Sequence, residues 1–276
     1  MASFDPYLAD IVRKADADRY LSVLYAPEAK RQALLSLYAF DAEIARIRDL
    51  VSEPMPGEIR LQWWRDVLSA GEASGHPIAA ALLETITGGR LPLQPFLNYL
   101  EARIFDLYDD PMPTRTDLEG YCGETASAVF QLAGMVLDAD AAANAAALSG
   151  HAGCAAGVLR LLRLMPLHRR RGQCFVPAEV LAASGIDREA YLAGEPEAAM
   201  ASVVGAMKSL ASEHLRAFLG GAAGLPLSLR PAFLPLATAP ARLDRIVATA
   251  AWQAPAADIS ALRRHWELFR RAQSGW

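Results

Sequence analysis

Apolar positions along the 276-residue chain recur at spacings of three and four, the period of a helix buried on one side. Between Pro27 and Pro54, Ala33, Leu37, Phe40, Ile44, Ile47 and Val51 form one such stripe. The two prolines stand where a helix begins and where it has ended. The same spacing predicts helices over 58–70, 93–109, 115–136, 140–165, 187–192, 198–219, 228–236 and 258–272. The segments "EASGHP", "DDPMPT", "RRRGQ", "AGEPE" and "GGAAGLPLS" separate them and carry the Gly, Pro and polar residues of turns. Alternating β-branched runs, which a sheet needs, do not occur. No break is long enough to link two domains, and no period repeats. The pattern predicts an all-α, single-domain multi-helix bundle over residues 1–276.

Composition adds a large interior. Hydrophobic residues make up 53% of the chain, enough for a sizeable core and too many for disorder. The formal net charge of −4 argues against a nucleic-acid partner. Cys122, Cys154 and Cys174 lack CxxC spacing and nearby paired histidines, so they read as small core residues in a reducing compartment. The N-terminal "MASFDPYLADIVRKADADRY" holds four Asp and no long apolar run, against a signal or transit peptide. No window is apolar enough for a membrane span. A cytoplasmic location follows, with a peripheral place on the inner membrane as the alternative.

Charge is unevenly placed. In "VLRLLRLMPLHRRRGQCFVP", residues 158–177, Arg160 to Arg170 include four arginines and His168, and Arg171 follows. No carboxylate occurs between Asp140 and Glu179. Pro166, Gly172 and Pro177 mark a helix stop, and basic residues there complement the negative end of the helix. That account leaves out Arg160 and Arg163, which lie earlier and share a face. On the helix before Pro54, Asp41, Ala45, Arg48 and Asp49 fall near one stripe, and Glu43, Arg46 and Asp49 share another. Carboxylates one turn apart can hold Mg²⁺, which makes Asp41 and Asp49 the metal candidates. Each also has an arginine within helix reach, so internal ion pairs compete. In "DLEGYCGETASAVFQLAG", Tyr121, Glu124, Thr125 and Ser127 sit among small residues that let a helix or ligand approach closely. The adjacent Trp63 and Trp64 suit core packing. No histidine has a Ser or Cys partner in a triad arrangement, and neither GxGxxG nor a Walker loop is present. The C-terminal "SALRRHWELFRRAQSGW" is amphipathic: Leu262, Trp266 and Phe269 share a face flanked by Arg263, Arg264, Arg270 and Arg271. It suits packing on its own domain, a partner, or an anionic membrane.

The segments "PEAKRQALLSLYAFDAEIARIRD", "RLQWWRDVL", "YCGETASAVFQLAG" and "GVLRLLRLMPLHRRRGQCFVPAEVL" together resemble the squalene/phytoene synthase family over residues 18–182, and more weakly beyond. The resemblance implies an isoprenoid-synthase type bundle around a central cavity. It also implies head-to-head joining of two prenyl diphosphates held by Mg²⁺ on two aspartate-rich motifs. The first motif falls on "ARIRD", where only Asp49 is acidic and Ala45 and Arg46 replace carboxylates. The second falls on "LMPLH", Leu164 to His168, with no carboxylate; the Asn and Gln that usually precede it correspond to Arg160 and Gly157. Arginines there repel Mg²⁺, suggesting a site inverted in sign.

"DRYLSVLYAP", "AFDAEIARIRDLVSE", "QWWRD" and "YCGETASAVFQL" are similar to the branch of complex I assembly factors with a synthase-like domain. The expectation is a non-catalytic protein that assists respiratory complex I assembly or binds an isoprenoid or anionic lipid. Its partners would be a complex I subunit or assembly factor, a lipid, or a membrane surface. No cofactor is expected. Candidate ligand- or anion-binding residues are Asp41, Glu43, Arg46, Asp49, Tyr121, Thr125, Arg160, Arg163, His168 and Arg171. Arg160 and Arg163, facing Arg46 and Arg48, either bind an anion or pair with Asp41, Glu43 and Asp49. The alternative is an active prenyl diphosphate transferase with an atypical Mg²⁺ site.

Overall fold

The structure, a computed structural model, describes residues 4–73, 75–109 and 111–276. Ser74 and Asp110, inside the breaks "EASGHP" and "DDPMPT", lie outside the described residues. The first elements are α1 (Pro6–Ala15), α2 (Ala17–Leu24), α3 (Glu28–Ala45), α4 (Ile47–Leu50), α5 (Pro54–Ala70), α6 (Pro77–Gly89) and α7 (Gln94–Ala102). A 3₁₀ turn over Arg103–Leu107 follows, then α8 (Arg115–Cys122), a π-helical turn (Gly123–Ser127), α9 (Ala128–Leu137), α10 (Ala139–Asn144) and α11 (Ala146–Arg170). The remainder is α12 (Ala178–Ala183), α13 (Arg188–Ala193), α14 (Glu197–Gly221), α15 (Arg230–Phe233), α16 (Ala239–Arg245) and α17 (Ala261–Ser274). Among the described residues there is no strand.

Local chemistry sets these boundaries. The Asp16 carboxylate accepts from the backbone N–H groups of Asp18 and Arg19 and so starts α2. Thr114 and Asp117 form a reciprocal capping box on α8. Gly71, at φ +73°, ends α5 in the left-handed conformation that a glycine takes without strain. The stripe on α3 buries Leu34, Leu37, Phe40 and Ile44. Phe40 packs edge-on against Trp64 and Phe96, with ring centroids 5.3 and 5.8 Å away. Trp64 is therefore the core member of the tryptophan pair, and Trp63 lies half-buried beside it.

Several boundaries differ from the sequence expectation, and two of them bear on the site. The helix running toward Pro54 breaks at Arg46, so Arg48 and Asp49 sit on the separate turn α4. Pro166 lies inside α11 and does not end it: the helix runs on to Arg170 and stops where Gly172 takes φ +76°. The missing N–H of one proline is tolerable in a helix of 25 residues buried along Val158, Leu162 and Met165. The chain then leaves α11 through an irregular segment over 171–177.

One pair of elements approaches unusually closely. A Cβ added at Gly153 on α11 would stand 2.2 Å from backbone atoms of Ser127 in the π-helical turn. A Cβ at Gly157, one turn later, would stand 2.8 Å from the sulfur of Cys122. The small residues of "GETAS" and α11 thus bring two backbones together, and this contact positions Tyr121 against the rest of the site.

Candidate functional site

Asp41, on the last turns of α3, is 2% exposed. An isolated carboxylate at that depth would be neutral; this one has three partners. Arg19 from α2 forms a close ion pair with Oδ2. Arg103, from the turn after α7, reaches Oδ1 at 3.3 Å. The Tyr99 hydroxyl donates to the same oxygen at 2.5 Å. Burial alone would raise the Asp41 carboxyl; the fields of Arg19, Arg103 and Arg160 outweigh it and hold the group well below the ordinary carboxylate value.

Arg103 joins this carboxylate to a second one. Its Nη1 donates to Asp106 at 3.0 Å and to the Tyr121 hydroxyl at 3.1 Å. The Tyr121 hydroxyl donates to Asp106 at 2.6 Å. Burial, set against the field of Arg103 and reinforced by Asp106, raises the Tyr121 phenol far above its usual range, so it stays a donor. Thr125, buried, donates its hydroxyl back to the Tyr121 carbonyl at 2.6 Å, which commits its one proton to its own helix.

The outer layer follows the same rule. Asp49 pairs closely with Arg171 across from the end of α11. Arg48 stands 3.9 Å from Asp109 and donates to the Val51 carbonyl at 3.0 Å. Glu43 and Arg46 form only a loose pair, at 3.8 Å, on the surface of α3. His168 packs its ring 4.6 Å from Phe175, which in turn lies against Phe105 and Tyr121. Desolvation, with Arg160 and Arg171 adding to it, lowers the imidazole to about 4 and keeps it neutral.

Arg160 is exposed, and no described carboxylate pairs with it; its field reaches both Asp41 and His168. Arg163 leaves this cluster and pairs with Asp258 at 3.3 Å, within a knot that also contains Arg242 and Arg264. Neither residue pairs with Asp41, Glu43 or Asp49, as the sequence pattern allowed. Arg171 takes Asp49 and Arg46 takes Glu43, whereas the arginines that hold Asp41, Arg19 and Arg103, come from elsewhere. Arg19, Tyr99, Arg103 and Asp106 form the centre of the site, and the sequence pattern did not single them out. Their one sequence signal is a pair of charges, Arg103 and Asp106, three residues apart in an otherwise apolar stretch.

Four arginines, Arg19, Arg103, Arg48 and Arg171, are thus matched with four aspartates, Asp41, Asp106, Asp109 and Asp49. The site is balanced in charge and not inverted, with Arg160 as the excess. A Mg²⁺ ion does not fit this donor set. The inner carboxylates are occupied by guanidinium and phenol donors, and residues 164–168 of α11 have no side-chain oxygen. Among the described residues, no three His, Cys, Asp or Glu side chains converge as metal ligands would.

Comparisons agree with this geometry at the level of family and fold. The squalene/phytoene synthase family profile matches residues 12–270. The bovine (Bos taurus) protein "NADH dehydrogenase (ubiquinone) complex I, assembly factor 6" is 29% identical over 234 residues, 83% of this chain and 70% of its own. The presqualene diphosphate synthase of Zymomonas mobilis is 29% identical over 172 residues, 60% of this chain and 58% of its own. Among solved structures, squalene synthase HpnC from Alicyclobacillus acidocaldarius superposes with a TM-score of 0.72 at 21% identity, covering 87% of this chain and 91% of its own. The bundle therefore has the fold of the isoprenoid synthases.

Proposed function

We propose, from the premise that this chain belongs to the squalene/phytoene synthase family, that it is a non-catalytic member that assists assembly of respiratory complex I. The observation that carries this reading is the state of the acidic positions. The fold persists, while Asp41 and Asp49 are each held by arginine and the facing segment Leu164–His168 has no carboxylate. Ionising a prenyl diphosphate requires charge stabilisation that metal ions supply, worth several kcal/mol. The pairing of these carboxylates with arginine supports the reading that no metal is held here. The likeness to complex I assembly factors supplies the direction of the alternative role.

In this reading the chain acts by contact: with a complex I subunit or assembly factor, and with an isoprenoid or anionic ligand near Arg160, Arg171 and His168. It would work in the cytoplasm, against the inner face of the membrane; no helix among the described residues is long and apolar enough to cross one.

Two measurements test the proposal. Purified chain given farnesyl diphosphate and Mg²⁺ should release no diphosphate above background; sustained turnover abolished by Asp49→Ala would establish the transferase instead. Deleting the gene should lower assembled NADH:quinone reductase, and unchanged assembly would remove the respiratory role.

A further inference from the structure

Helix α17 is amphipathic in two directions. Its inner side is firmly seated. Leu268 is fully buried against Leu234 and Ala237. Arg264 reaches Asp18 at 2.8 Å and Asp258 at 2.9 Å. Arg230 donates to the carbonyls of Ala272 and Gln273, both at 3.1 Å. Trp276 packs edge-on against Phe218 at 4.8 Å. The outer side carries Leu262, Trp266 and Phe269 at i, i+4 and i+7, and these are 82%, 59% and 48% exposed. Three large apolar side chains in line on the solvent face of a helix already docked elsewhere call for a second environment.

The border of that stripe identifies it. Arg263 and Arg270 flank it, with side chains 46% and 47% exposed, and they share the more buried Glu267 between them. The stripe runs about 10 Å from Leu262 to Phe269, at 1.5 Å per residue. It is a convex ridge, suited to a planar boundary that accepts a shallow apolar edge, a Trp at headgroup depth and guanidinium groups beside phosphates. We infer that α17 is a membrane-docking element, which seats Leu262, Trp266 and Phe269 in the interfacial layer of a bilayer containing anionic phospholipids while Arg263 and Arg270 contact the headgroups. This deepens the membrane placement proposed above and rests on it for its cellular setting. The contact itself stands on the geometry of α17.

The test is flotation of the full chain with vesicles of phosphatidylcholine alone and of phosphatidylcholine mixed with phosphatidylglycerol. The chain should float with the mixed vesicles and not with the neutral ones, and added salt should release it. The double variant Trp266→Ser/Phe269→Ser should lose roughly tenfold or more in partitioning. Arg263→Gln/Arg270→Gln should lose roughly fivefold per charge on anionic vesicles only. All four side chains point outward, so circular dichroism and thermal melting of both variants should match the parent. Absence of flotation, or flotation unaltered in both variants, overturns the inference. If vesicle binding fails while gene deletion still depletes the respiratory complex, the assembly role survives and the membrane helix does not. If binding and its loss in the variants hold while complex assembly is untouched by deletion, the helix stands and the respiratory reading falls.

Discussion

Asp41 shows how a single side chain can determine what a site is able to do. Its carboxylate is ionised at 2% exposure because Arg19, Arg103 and Tyr99 converge on it. Removing one member of a buried, hydrogen-bonded ion group leaves the others uncompensated. Asp41→Asn is therefore expected to lower unfolding stability by about 3–5 kcal/mol, read from the urea midpoint. His168 gives a pH signature. It stays neutral in the folded chain down to about 4, whereas the unfolded side chain takes its proton near 6.5. The unfolded state binds more protons between those values, so stability falls as pH drops through that window and is insensitive to this group above it. Asp41, whose folded carboxyl is depressed, acts only below its ordinary 3.8, where protonation removes its contribution. His168→Gln should accordingly flatten the slope of stability between pH 6.5 and pH 4; an unchanged slope would show that the imidazole is not desolvated. These residues were unequally legible. Asp41 and His168 drew notice from type and spacing. The arginines that neutralise Asp41 stand 22 and 62 residues away in sequence, on α2 and beyond α7, and only tertiary packing brings them together.

At the scale of elements, period and punctuation carried far. The stripe on α3 and the run 115–136 appear as helix, and Gly172 stands just past the end of α11, because apolar spacing and a terminating glycine are local signals. The failures are local signals overruled by packing. Pro166 looked like a stop, but buried neighbours along α11 hold the helix past it. On α17 the amphipathic stripe was visible, but sequence could not tell that Leu268 faces the protein while Leu262, Trp266 and Phe269 face out. The helices α1, α2, α6, α12 and α16 lie outside the periodic segments. The contact between α11 and the π-helical turn gives a prediction specific to elements. Gly153→Ala would push a methyl to 2.2 Å from the Ser127 backbone. Overpacking of this kind costs about 1–3 kcal/mol, and backbone on the far side gives the larger figure. Gly150→Ala, one turn earlier, meets nothing within 4 Å. It should be neutral or stabilise by about 0.5–1 kcal/mol through reduced backbone entropy of the unfolded chain. Thermal melting of the pair separates close approach from helix propensity.

For the molecule as a whole, one buried apolar cluster runs from Leu8 to Trp252 and ties α1 through α16 to a common interior, while α17 packs through Leu268 on a second, smaller cluster with Leu234 and Ala237. A scaffold of that kind does not by itself fix which chemistry it carries. A ligand that binds only the folded chain raises its stability by about 2.7 kcal/mol at a hundred times its Kd. Magnesium chloride alone should therefore leave the melting temperature unchanged at constant ionic strength. Inorganic diphosphate should raise it without metal if Arg160 and Arg171 accept an anion, and Arg160→Gln should remove that rise. A magnesium-dependent shift would instead reveal a cation site.

The double hold on Asp41 also bears on how the site would answer to redesign. Placing aspartates into Leu164–His168 would add acid to one wall while Arg19 and Arg103 still occupied the other. Withdrawing either arginine alone would strand a charge in the interior. A cation seat between these walls therefore cannot be reached by one substitution: the guanidinium partners and the facing side chains have to change together.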